Sequence, residues 1–135
     1  MIQKRVLKTQ RIRKTTGSFA FIEHRFLRDG FLASLTHLEM LLYLFLVLAA
    51  DRHGLSFYGF ESICSILKMD VDDYIEARNG LIQKDLVAFD GRLFQVLSLP
   101  ASPSPPRLLE TLEDMERSDP ATIRQIFNQA FGEKP

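Results

Sequence analysis

A chain of 135 residues, 46% hydrophobic and 25% charged, has the size and balance of one globular domain with its own core. Its single cysteine, Cys64, excludes an internal disulfide and any multi-cysteine zinc site, and points to a reducing compartment. The net charge of zero conceals an asymmetry: residues 1–28 hold eight Lys and Arg against Glu23, a net +7, while residues 29–135 hold nine basic and sixteen acidic residues, a net −7.

The chain reads in order as follows. Residues 1–17 mix charge and threonine and end in Thr-Thr-Gly, the composition of a flexible or partly helical basic arm. Phe19, Phe21, Ile22 and Phe26 predict a short strand or extended segment over Phe19 to Leu27, broken at Asp29-Gly30. Ser34 or Thr36 then caps a helix, with Glu39 in capping-box register to Thr36. The helix runs through the apolar stretch Met40 to Ala50 and takes Gly54 as its C-cap. Apolar residues on every side predict burial on most sides. That run is well short of the roughly 20 residues that cross a bilayer, so neither membrane span nor secretory leader is expected, and the location expected is cytoplasmic.

Leu55 to Tyr58 is a short extended stretch, and Phe60, Ile63, Ile66 and Leu67 recur at helical spacing to Lys68. Asp70 caps a third helix whose apolar side comprises Val71, Tyr74, Ile75, Leu81 and Ile82. Leu86-Val87-Ala88-Phe89 and Arg92-Leu93-Phe94-Gln95-Val96 flank Asp90-Gly91, a pair suited to a type I′ hairpin turn. The domain organisation expected is an arm over 1–17, a folded domain over 18–99, a proline-rich linker over 100–106 and a C-terminal helical segment over 107–135.

The fold class expected is mainly α with a small β-hairpin. Its order of long helix, short strand, short helix, tight turn, helix and hairpin resembles the winged helix-turn-helix superfamily. The residues that carry the resemblance are Ala50-Asp51-Arg52-His53-Gly54, Ile63-Cys64-Ser65-Ile66-Leu67, and Tyr74-x-x-Ala77-x-x-x-Leu81 followed by Leu86-Val87. With Phe19 to Leu35 added, the chain is similar to the N-terminal winged-helix domains of phage, plasmid and primosomal replication proteins. The resemblance implies double-stranded DNA as partner, and a role in transcriptional regulation or the initiation of DNA replication. In such a domain the third helix enters the major groove and reads base edges.

The outward residues of that helix are Asp72, Glu76, Asn79 and Gln83. Asn79 and Gln83 have the amide chemistry that pairs with adenine, whereas Asp72, Asp73 and Glu76 repel phosphates and Asp70, Asp72 and Asp73 favour a helix N-terminus. Arg78 projects into the apolar side, where the preferred reading is a stem packed on the core with its head reaching an acid or a carbonyl, and the alternative is an inter-subunit contact. Arg92 is the one basic residue of the hairpin turn. The arm offers Lys4, Arg5, Lys8, Arg11, Arg13 and Lys14, interleaved with Val6, Leu7 and Ile12, and can neutralise several phosphates or act as a strap on the acidic body.

His24, His37 and His53 lie on separate segments, and no phosphate loop, nucleophile elbow or dinucleotide fingerprint occurs, so neither enzymatic activity nor a cofactor is expected. The alternative function is a protein-interaction module using the acidic third helix and the wing. The apolar first helix, together with Leu108, Leu109, Leu112, Met115, Ile123, Ile126, Phe127 and Phe131, predicts a homodimer with the first helix, the C-terminal helices or both at its interface; the alternative is a monomer whose C-terminal helices fold back over its own core.

Overall fold

The computed structural model describes residues 2–103; the expected helical segment 107–135 lies outside the described residues. The elements are α1 (Arg25–Arg28), α2 (His37–Ala49), β1 (Leu55–Ser56), α3 (Phe60–Leu67), α4 (Val71–Gln83), β2 (Val87–Phe89) and β3 (Phe94–Val96), with 3₁₀ turns at Thr9–Arg11 and Leu32–Ser34. The architecture is mainly helical, with a three-stranded antiparallel sheet in the order β1-β3-β2. The sheet therefore exceeds the hairpin expected, because Leu55 and Ser56 pair with Gln95 and Phe94.

Thr36 starts α2. Its hydroxyl accepts from the Glu39 amide and the Glu39 carboxylate accepts from the Thr36 amide, a complete capping box that satisfies two otherwise orphaned donors. One side of α2 packs Leu42, Tyr43, Leu46 and Val47 into a core shared with Ile63, Tyr74, Ala77, Leu81 and Phe94. Burial on most sides holds: Leu38, Met40 and Phe45 pack against the same core, and the outward strip is limited to His37, Leu41, Leu44 and Leu48.

The C-cap also differs from expectation. The backbone leaves α2 extended at Ala50 rather than at Gly54. Gly54, at φ +85°, instead closes the turn to β1: its carbonyl accepts from the Val96 amide at 2.8 Å, and a Cβ there would lie 2.5 Å from the Val96 carbonyl oxygen.

Phe19 to Leu27 forms no strand. Residues 19–23 carry no regular structure, and Phe26 lies in the single turn of α1, where its ring stacks on Tyr43 at 4.8 Å. The alternating aromatics have no sheet edge beside them, and Phe19 and Phe21 stay exposed. Lys68, Met69 and Asp70 join α3 to α4; Lys68 adopts the left-handed conformation (φ 57°) that stops α3, and Asp70 caps α4 by accepting from the Asp73 amide at 2.7 Å.

The buried face of α4 is Tyr74, Ala77 and Leu81. Val71, Ile75 and Ile82, assigned to that face from the sequence, remain partly exposed. Ala77 is 1% exposed, so it lies at the centre of the buried face and the larger residues fall to its edge.

The hairpin turn is shifted by one residue from the expected position. Phe89 pairs with Phe94, which leaves Gly91 and Arg92 as the tip; Gly91 has positive φ and Arg92 does not, so the two left-handed residues of a type I′ turn are not present. Asp90 explains the shift, since its carboxylate accepts from the Arg92 and Leu93 amides and stands at the start of the turn, not within it.

Candidate nucleic-acid interface

Three separate elements carry the residues singled out in the sequence. The arm holds Lys4, Arg5, Lys8, Arg11, Arg13 and Lys14, and every described residue from 2 to 24 is exposed. Threonines and cations outnumber its apolar residues, so the segment has too little to bury to join the core. Its one local structure is the 3₁₀ turn at Thr9–Arg11, where the Arg11 amide donates to the Lys8 carbonyl at 3.1 Å.

The second element is the outward side of α4. Asp72, Glu76, Asn79 and Gln83 are all exposed there, as the helical projection requires. The carboxamide oxygen of Asn79 accepts from the Arg78 guanidinium at 3.2 and 3.3 Å, so one half of its adenine-reading edge is engaged. Arg78 stacks over the Tyr74 and Phe89 rings, at 5.6 and 5.2 Å from their centroids, and thereby ties α4 to β2. Its head thus reaches a side-chain carbonyl and two aromatic faces. Asp70, Asp72 and Asp73 crowd the first turn of α4; the helix dipole favours them, and for the same reason the surface there is unfavourable to phosphates.

The third element is the tip of the β2–β3 hairpin, where Arg92 is exposed and its guanidinium lies 5.9 Å from the Phe57 ring centroid. Phe57 follows β1 directly and is 66% exposed, an aromatic face beside a cation. Sequence reasoning does not single it out, because an apolar residue after a short strand has the same pattern whether it points into a core or out of it.

Ionisation is set by local hydrogen bonds at two turns. The Leu55 amide and then the His53 amide hold the Asp51 carboxyl below the usual carboxylate range. The Leu93 and Arg92 amides do the same for Asp90. Burial, reinforced by the charges of Asp70 and Asp73, pushes the Cys64 thiol up, away from the thiolate form that reacts.

Among the described residues no three His, Cys, Asp or Glu side chains gather into a set able to hold a metal ion, and no helix is long and apolar enough to cross a membrane. No family model, curated protein or solved structure matches the chain.

Proposed function

We propose that this chain is a cytoplasmic DNA-binding protein of the winged-helix type, acting in transcriptional regulation or replication initiation. The observation that carries the reading is the arm, with six exposed cations within residues 1–14 and the acids confined to the body. The order α2, β1, α3, α4, β2, β3, the three-residue turn before α4 and the sheet order β1-β3-β2 support the fold part of the reading. In this reading the arm supplies sequence-independent phosphate contacts, and Arg92 adds one from the wing. Asn79 and Gln83 reach base edges only where the acids of α4 stand clear of the backbone.

The test is fluorescence anisotropy with a mixed-sequence duplex across a salt series. Neutralising six phosphates gives a slope of log K against log salt of about −5. Replacing all six arm cations by Ser removes most of that slope and the binding with it. A duplex that stays unbound at low salt overturns the proposal.

A second reading is favoured by α4, whose exposed side combines Val71, Ile75 and Ile82 with Asp72 and Glu76. Apolar residues flanked by acids suit a basic protein partner better than a polyanion. Charge reversal of Asp72, Asp73 and Glu76 separates the readings: DNA binding tightens if the acids merely oppose phosphates and stays unchanged if that side faces a protein.

A further inference from the structure

The outward side of α2 leaves Leu41, Leu44 and Leu48 exposed by 43, 47 and 65%, at a spacing of three and four residues that places them on one strip. Beside the strip, between α1 and α2, lies a groove of about 580 Å³ whose walls include Leu27, Leu32, Met40 and Tyr43. Leu44 belongs to both, so strip and groove form one continuous apolar surface.

The course of the chain indicates what covers it. Arg25 of α1 donates to the carbonyls of Pro100 and Ala101 at 2.6 and 3.2 Å, which brings the end of the described chain back to α1. Pro103 lies against Gly30, its Cγ 3.7 Å from where a Cβ of Gly30 would stand. Arg28 and Leu32, on either side of Gly30, line the groove, so the chain passes residue 103 at the groove's edge. Thirty-two residues follow. A helix the length of α2 spans about 20 Å, which roughly 13 of those residues match.

The chemistry of the following residues fits as well. Leu108, Leu112 and Met115 recur at helical spacing, and Glu110, Glu113, Asp114 and Glu116 fall between or beside them. The charged margin of the groove is mixed, with Arg28 beside Glu23, so the fit of the segment rests on its apolar residues and on the course of the chain. We propose that residues 107–119 of the same chain dock along α2, their leucines filling the groove and covering Leu44 and its neighbours.

The test is disulfide trapping in the full chain carrying Cys64→Ser. Leu112→Cys is combined with Leu44→Cys or Leu48→Cys, and, as a control, with Glu76→Cys on the outward side of α4. The expected result is an intrachain disulfide that forms at least tenfold faster with position 44 or 48 than with position 76. Equal rates at all three positions overturn the proposal, and so does linkage between chains, which assigns the surface to a second copy. Hydrogen exchange of the unmodified full chain is the second measurement: amides 108–116 exchange slowly and return to free-peptide rates in L41D/L44D, whose changes lie at exposed positions. Free-peptide rates in the unmodified chain overturn the docking.

Discussion

Gly80 of α4 stands against the carboxylate of Glu39 on α2: a Cβ at Gly80 would lie 1.9 Å from Oε2 and 2.8 Å from Cδ. Glu39 is only 6% exposed. The same carboxylate closes the Thr36 capping box and forms an ion pair with Lys84, whose ammonium also donates to the Ser34 carbonyl at 2.7 Å. The absence of a side chain at Gly80 thus leaves room for Oε2, while Oε1 accepts from both the Thr36 amide and the Lys84 ammonium. Gly80→Ala gains about 1 kcal/mol of helix propensity and is nonetheless expected to destabilise by about 2 kcal/mol, since the carboxylate must leave its partners. Urea denaturation measures it, and a midpoint at or above that of the native sequence shows that Glu39 relocates freely.

Lys84→Met probes the same pair from the other side. It leaves the Glu39 carboxylate buried without its cation, a change that costs about 3–5 kcal/mol. Glu39→Gln combined with Lys84→Met removes both charges and should recover a large part of that loss. A double variant no more stable than Lys84→Met alone would mean that the pair is not coupled.

Much of this arrangement is visible in the residue order, and the parts that are not share a cause. Thr36 with Glu39, Asp70 before α4 and the hairpin around Asp90-Gly91 are local signals, in which a side chain satisfies backbone groups two or three residues away. The error at the hairpin is likewise local, since Asp90 serves the turn as a hydrogen-bond acceptor and not as one of its left-handed residues. Tertiary partners decide the rest. Tyr74, Ala77 and Leu81 form the buried side of α4, and a hydrophobicity projection gives alanine too little weight beside Ile75 and Val71. Lys84 and Glu39 are 45 residues apart, and nothing in either neighbourhood announces the pair. For the candidate interface, the exposed cations of the arm follow from composition, whereas the capture of Asn79 by Arg78 depends on where Phe89 lies.

Arg78 gives the next expectation. Its guanidinium spans the Tyr74 and Phe89 rings, so it is at once a packing element and the link between α4 and β2. Arg78→Ala is expected to destabilise by about 1–2 kcal/mol through lost stacking and stem packing. Arg78→Lys should recover little, since an ammonium lacks the planar face that stacks on two rings. Thermal unfolding of both variants checks this, and full rescue by Lys would assign the effect to charge alone.

Ser56 runs the other way. Its hydroxyl is buried in β1 and finds no hydrogen-bond partner among the described residues, so the group is desolvated without return. Ser56→Ala removes the hydroxyl and keeps the Cβ, and is expected to raise stability by about 1 kcal/mol. A loss of similar size would show that the hydroxyl is hydrogen-bonded in solution.

The acid limb of stability should belong in part to two exposed turns. Asp51 is held in its ionised form by the Leu55 and His53 amides, and Asp90 by the Leu93 and Arg92 amides, so both carboxyls titrate lower folded than unfolded. Between the two values the unfolded chain binds more protons, and stability therefore rises with pH there. The contribution is fully present above the unfolded carboxyl value of about 3.9 and is lost as pH falls through the lower folded values. Urea midpoints taken from pH 7 down to pH 2 should be flat with respect to these groups above about pH 5 and fall on the acid side. The Asp51→Asn/Asp90→Asn variant, whose amides do not titrate, should start lower at pH 7 and lose less across the acid range. An acid limb of unchanged steepness in that variant would place the pH dependence elsewhere, among the carboxylates of the body.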